Sequence, residues 1–111
     1  MITVEKLAAF GADTKTALAR CMNKEDFYIK LVGMGLNEPR FEQLGASLDA
    51  KDYETAFTLC HSIKGVIGNL GIDPLHNVIC EMTELLRAKT DTDYSKLYKK
   101  VMDMRSELLA M

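Results

Sequence analysis

The stretch Leu59–Gly71, LCHSIKGVIGNLG, has the residue spacing of a helix with one apolar face. At about 100° per residue, one stripe falls within about 40° of a single direction and is expected to face a core. It comprises Ala56, Cys60, Ile63, Ile67 and Leu70. Offsets of three, four and seven residues bring another group together on the outward arc, namely His61, Lys64, Gly65 and Gly68. The stretch therefore predicts a helix with one buried face and one exposed, glycine-containing patch.

Helical periodicity recurs in the segments before this stretch, and convincing strand alternation occurs nowhere. A short helix is predicted near Thr3 and another over about 13–22, with Ala17 and Leu18 inward. Asn23 is expected to cap the next helix. The predicted apolar face of that helix comprises Phe27, Leu31 and Met34.

Caps and breakers divide the rest of the chain in the same way. Pro39 suits the first turn of a helix that places Phe41, Leu44 and Leu48 inward, and Asp52 can cap the helix of the opening stretch. Gly71 ends that helix, and Asp73 and Pro74 are expected to cap and begin the next. The inward residues of the last two helices are predicted to be Leu75, Val78, Ile79, Met82, Leu85 and Leu86, then Tyr94, Leu97, Tyr98, Val101 and Leu108.

These elements predict an all-α protein, an antiparallel up-and-down four-helix bundle with one or two short extra N-terminal helices. A chain of 111 residues can bury one core, so residues 1–111 are predicted to form a single domain. The complete bundle favours a free-standing monomer, and a domain cut from a longer chain would have the same pattern.

Composition excludes several functional classes. The formal net charge of −2 gives no positive field for nucleic acid, and no apolar run or N-terminal leader suits a membrane or export. We therefore expect a cytoplasmic protein. Cys21, Cys60 and Cys80 match neither a zinc-ligand spacing nor a disulfide framework, and are expected to be reduced packing residues.

The glycines of the outward patch need a reason. Each costs about 0.5–1 kcal/mol relative to alanine within a helix. Either a neighbouring helix crosses closely at Gly65 and Gly68, or a macromolecule must bring a reacting atom up to His61. From spacing alone the two explanations are equally acceptable, although both glycines lie away from the core stripe.

The chemistry of the patch suits phosphoryl transfer. A histidine side chain is largely neutral near pH 7 and offers an unprotonated ring nitrogen that can attack phosphorus. Lys64, one turn beyond His61, can reach the oxygens of a phosphoryl group held there. His76 is interpreted as a surface side chain in the first turn of the following helix. No P-loop is present, because GVIGNLG lacks the lysine and hydroxyl residue of that motif, and use of ATP is not expected.

At these residues the sequence resembles the histidine-containing phosphotransfer (HPt) domains of multistep two-component signalling. The family motif is a histidine, two residues, lysine, glycine, then a small residue and a leucine-glycine pair. It is present here as His61, Lys64, Gly65, Gly68, Leu70 and Gly71. The segments TALAR, DFYIKLV, LDAKDYETAFTLCHSIKG and LGIDPLHNVICEMTELLRA also resemble the family in order and spacing, so the likeness covers nearly the whole chain.

The resemblance implies a role for each matched residue. His61 would be the phosphorylated nucleophile, Lys64 would steady the phosphoryl oxygens, and Gly65 and Gly68 would leave room for a receiver domain. A wider partner-binding surface would add Ser62, Thr58 and Phe57. The implied partners are response-regulator receiver domains and hybrid sensor histidine kinases, with the Mg²⁺ site on the receiver and no cofactor or metal on this chain. Val66 departs from the smaller or polar residue that the family often has there.

Two other hypotheses remain open. A non-catalytic helical scaffold, a pseudo-HPt domain, would bind receivers without needing His61 beside Lys64. A four-helix metal or cofactor carrier would need inward-facing acids and histidines, whereas the predicted core stripes are apolar.

Overall fold

The computed structural model describes every residue from Met1 to Met111 and contains only α-helices. They are α1 (Val4–Phe10), α2 (Thr14–Arg20), α3 (Glu25–Leu36), α4 (Arg40–Asp49), α5 (Tyr53–Asn69), α6 (Asp73–Arg87) and α7 (Ser95–Leu109). The two N-terminal helices are short, with seven residues each, and the longest is α5, which carries the patch around His61. The predicted all-α bundle with short helices in front of it is confirmed.

Helix α5 is the centre of the packing. It packs on α6, to which a short turn joins it, and on α4, while α7 packs on α6 and α3. All the residues of the predicted stripe on α5 are buried, from Ala56 to Leu70. One apolar cluster joins them to the inward faces of the other helices, including Leu75, Ile79 and Val101. The arc that carries His61 is consequently left outside the core.

The predicted apolar face of α3 was wrong. Phe27 is 50% exposed and Met34 is 62% exposed, whereas Tyr28 and Val32 are fully buried. The Tyr28 hydroxyl donates a hydrogen bond to the carbonyl oxygen of Leu70, with an O···O distance of 2.7 Å. This bond turns the Tyr28 side of α3 towards the end of α5 and leaves an apolar stripe of α3 facing outward.

Two of the predicted helix caps also differ from the structure. Side chains cap α1, α2 and α5, where Thr3, Asp13 and Asp52 accept hydrogen bonds from backbone N–H groups of the first turn. Asn23 does not cap α3, because Lys24 occupies the cap position and Asn23 has a left-handed φ of 58°. Asp73 lies inside the first turn of α6 rather than at its cap.

The end of α5 is held by the N-terminal helices. Gly71 has a φ of +73°, a conformation that glycine adopts at little cost. Its carbonyl oxygen accepts a hydrogen bond from the Asp13 N–H, with an N···O distance of 2.8 Å. Arg20 donates to the Asn69 carbonyl oxygen at 2.9 Å, which places a cation at the negative end of the helix dipole. No helix has the length and apolar character needed to cross a bilayer.

Candidate functional site

His61 lies on the outward arc of α5 and is exposed. Its neighbours Cys60 and Ile63 are buried, so the helix is fixed while the imidazole is free to meet solvent. Neither ring nitrogen of His61 makes a hydrogen bond within the chain. Both nitrogens are therefore available to an external group.

The ring of Phe57 lies against the ring of His61. The ring centroids are 5.8 Å apart and the ring planes differ by 24°, which is close to a parallel stack. On the neighbouring helix α6, the guanidinium carbon of Arg87 lies 5.1 Å from the centroid of the Phe57 ring. Arg87 also pairs with Glu84, with an N···O distance of 3.3 Å. Phe57 thus connects the imidazole to α6.

Gly65 leaves open space beside the histidine. It is exposed, and a Cβ placed on it would meet no atom within 4 Å. No helix of this chain crosses there, so the close-crossing explanation does not apply to Gly65.

Lys64 is half-buried and forms no ion pair within the chain, which leaves its amino group free for an anion one turn from His61.

Gly68 has a different environment. A Cβ at this position would lie 3.0 Å from both Cδ2 and Nε2 of His76, so the missing side chain makes room for that ring. His76 is half-buried rather than a free surface residue, and its ring nitrogens lie 3.5–3.6 Å from the Sγ of Cys80. The predicted surface position of His76 is therefore corrected. The packing explanation that the sequence left open applies to Gly68, although the residue remains only half-buried.

The other predicted partner-binding residues flank the histidine. Thr58 is exposed, and its hydroxyl donates to the Glu54 carbonyl oxygen within α5 at 3.2 Å. Ser62 is half-buried. Beyond them, a groove runs between α5 and the outward side of α3. Its lining includes Leu31, Met34, Val66 and Asn69.

The cysteine nearest to His61 in sequence belongs to the core. Cys60 is fully buried, and burial raises the pKa of its thiol to about 11. Its Sγ lies 3.1 Å from the Oγ1 of Thr83 and 3.6 Å from the Ile79 carbonyl oxygen. This thiol therefore stays protonated at neutral pH and is not a competing nucleophile. No three His, Cys, Asp or Glu side chains converge as metal ligands would.

Two residues of the site were not recognised from the sequence. Arg87 and His76 both reach the surface patch from α6, at the two ends of the stretch of α5 that carries His61. Their contacts are formed between helices, so no spacing along the chain reveals them. The contact between Phe57 and His61 could have been predicted from the sequence, because residues four apart share one face of a helix.

Comparison with protein-family models identifies a family for this chain. The family model described as the Hpt domain matches residues 36–110, which is more than half of the chain and includes α5 with the whole patch. Comparisons with curated proteins and with solved structures found no match.

Proposed function

The chain belongs to the Hpt domain family, whose members transfer phosphoryl groups in phosphorelays, and we propose that His61 is its phosphoryl acceptor. The donor would be the aspartyl phosphate of a receiver domain, and a second receiver would take the group onward. The observation that carries this proposal is the exposed His61 beside the open space at Gly65, on a helix whose opposite face is buried.

The proposed reaction needs only one nucleophile from this chain. A neutral ring nitrogen of His61 attacks phosphorus, a P–N bond forms, and the P–O bond to the aspartate breaks. The electron pair of that P–O bond stays on the departing carboxylate. Onward transfer is the same step in reverse, with the carboxylate of the next receiver as the nucleophile. Positioning and charge neutralisation account for most of the catalysis of such a transfer.

Charge neutralisation would be shared between the two proteins. Lys64 has no ion pair of its own within the chain, so its amino group can reach the phosphoryl oxygens once they are attached to His61. Mg²⁺ would be held by the receiver. We propose no cofactor on this chain.

Docking would use the surface on both sides of His61. Gly65 offers an unobstructed approach, and the groove lined by Leu31, Met34 and Val66 borders it along α5. Met34 and Phe27 are exposed apolar side chains on the same side of α3, so a protein partner would gain free energy by burying them. We propose that the receiver covers this outward side of α3 as well as α5.

The test is transfer of the phosphoryl group from a panel of receiver domains that have been phosphorylated with acetyl phosphate. We expect acid-labile, base-stable label on the wild-type chain and none on His61→Gln, while His76→Gln, which retains the acceptor, still becomes labelled. Lys64→Ala should slow transfer, and Lys64→Arg should retain more activity because it keeps the charge. Labelling of His61→Gln would place the acceptor elsewhere. Receiver binding without label on any variant would instead support the non-catalytic scaffold.

A further inference from the structure

The exposed His61 imidazole needs something to hold its orientation. Its nitrogens make no hydrogen bond within the chain, and an exposed side chain otherwise moves among several rotamers. Attack on phosphorus requires the nitrogen lone pair to point at the phosphorus atom, in line with the P–O bond that breaks. Small errors of placement slow such steps strongly. The orientation must therefore come from packing.

Phe57 supplies the packing. Its ring is 5.8 Å from the imidazole, centroid to centroid, in a nearly parallel stack. The lone pair of a neutral imidazole lies in the plane of the ring, at its edge. With centroids 5.8 Å apart, the nearly parallel rings are offset, so Phe57 contacts only part of the imidazole face. Such a contact restricts rotation of the ring and leaves the plane of the nitrogen lone pair open.

Phe57 is itself restrained from two sides. It is half-buried and packs against the apolar core beneath α5. The Arg87 guanidinium lies over its ring at 5.1 Å, and Glu84 holds Arg87 from one turn earlier in α6. A cation over an aromatic face is attractive by roughly 0.5–1 kcal/mol at an exposed site. The series Arg87, Phe57 and His61 thus ties the imidazole to the adjoining helix.

We propose that Phe57 is a positioning residue for phosphoryl transfer, holding the His61 ring in one orientation with Arg87 as its support. This inference rests on the proposed function. The family resemblance implied a partner-binding role for Phe57, whereas the ring is half-buried between Arg87 and His61. Because Phe57 in this proposal acts through His61 and not through a receiver contact, its loss should lower the maximal rate of transfer and leave receiver binding unchanged.

The test compares Phe57→Leu with Phe57→Tyr. Leucine keeps an apolar side chain but has no planar ring, whereas tyrosine keeps the ring. With a phosphorylated receiver domain as donor, we expect Phe57→Leu to lower the maximal rate roughly tenfold, with the half-saturating receiver concentration unchanged. Phe57→Tyr should transfer at close to the wild-type rate. Arg87→Gln, a substitution of an exposed side chain, should cause a smaller decrease in the same direction.

NMR spectra of the imidazole protons provide a readout that does not depend on the receiver. Loss of the Phe57 ring current should shift the His61 ring protons in Phe57→Leu but not in Phe57→Tyr, and the His76 ring protons should stay unchanged in both. Thermal melting of each variant shows whether a slower rate reflects unfolding.

Three results would overturn the positioning role. The first is a wild-type maximal rate in Phe57→Leu, the second is a rise in half-saturating concentration alone, which would indicate a docking contact, and the third is unshifted His61 protons. If the wild-type chain accepts no phosphoryl group, the proposed function and this inference fall together. If it accepts the group and Phe57→Leu transfers equally well, only this inference falls.

Discussion

Gly65, Gly68 and Gly71 belong to one motif but have three different neighbourhoods. Open space surrounds Gly65, the His76 ring covers Gly68, and a Cβ on Gly71 would lie 2.6 Å from the Asp13 carbonyl oxygen. Gly71 also has a positive φ, so it is required for the fold. Of the three, only Gly65 has a cost in helix propensity that no contact within the chain explains.

Replacing Gly65 by glutamine separates docking from folding. Because glutamine has the higher helix propensity and meets no atom here, Gly65→Gln should raise the free energy of unfolding by several tenths of a kcal/mol. Its long side chain should also obstruct the approach to His61 and slow transfer from a receiver by roughly tenfold or more. Urea denaturation and the transfer rate, measured on one preparation, check both statements.

Gly33 provides the matched control. It lies within α3, and a Cβ there would also meet nothing within 4 Å, but it is on the polar side of that helix with Lys30 and Asn37. Gly33→Gln should gain similar stability and transfer at the wild-type rate. Equal transfer rates for Gly65→Gln and Gly33→Gln would show that receivers do not approach over Gly65.

Single residues show where the sequence was informative and where it was not. The arc of His61, Lys64 and Gly65 could be predicted because helical spacing fixes which residues share a face. The half-burial of His76 could not be predicted, since it depends on a ring from α6 filling the space left by a glycine on α5. A hydrophobic pattern along the chain does not show which side chain of another helix fills the space beside a glycine.

At the scale of the element, α5 is the helix that holds the nucleophile, and Asp52 begins it. The Asp52 carboxylate accepts a hydrogen bond from the Thr55 N–H at 3.2 Å. Hydrogen bonding from the Thr55 side chain, and then from this N–H, holds the pKa of that carboxyl below its ordinary value of 3.8. A lowered folded-state pKa contributes stability that is present above the unfolded-state pKa and lost as pH falls through the folded-state value.

We therefore expect the wild-type melting temperature to fall as the pH is lowered through about 4. Asp52→Asn keeps a capping side chain but removes the titrating group, so it should lose less melting temperature over the same interval. Asp13 and Asp93 have pKa values lowered in the same way, by hydrogen bonds from the side chain and then the N–H of Thr16 and Ser95, and will keep part of the dependence in the variant. Identical pH dependence of the wild type and Asp52→Asn, measured by thermal melting from pH 7 to 3, would contradict the capping role.

The helix α3 shows why its buried face was predicted wrongly. Its sequence EDFYIKLVGMGL offers two apolar stripes, one through Phe27 and Met34 and the other through Tyr28 and Val32. Hydrophobicity does not distinguish them. The choice is made by the Tyr28 hydrogen bond to Leu70 and by Gly35, where any Cβ would overlap Leu70 and Val66. A polar contact and a glycine therefore decided the packing of an apolar helix.

In the whole molecule, part of the apolar stripe left outside on α3 lines a groove with the C-terminal half of α5, the helix that carries His61. The groove that includes Met34 and Val66 lies on one side of the histidine, and the Phe57–Arg87 contact lies on the side of α6. The overall bundle was predictable because each long helix has apolar residues at helical spacing. The docking surface was not, because it follows from the rotation of α3.

Met34→Glu tests whether α3 takes part in docking. Met34 is 62% exposed, so the substitution should change the free energy of unfolding by no more than about 0.5 kcal/mol. It should raise the half-saturating receiver concentration roughly tenfold, which corresponds to about 1.4 kcal/mol of binding free energy, and leave the maximal rate unchanged.

Leu109→Glu is the control for an exposed apolar residue elsewhere. Leu109 is 38% exposed as the last residue of α7, and it does not line the groove between α3 and α5. It should leave receiver binding at the wild-type level. Similar transfer kinetics for the two variants would remove α3 from the proposed docking surface.

If His61 forms the bond to phosphorus, NMR of the phosphorylated protein should detect that bond. The ¹⁵N-labelled chain is incubated with a phosphorylated receiver domain, separated from it at neutral pH, and examined for coupling between ³¹P and ¹⁵N. We expect one phosphorus signal coupled to a ring nitrogen of His61 and an unchanged His76 ring. A phosphorus signal without nitrogen coupling, or one coupled to His76, would contradict it.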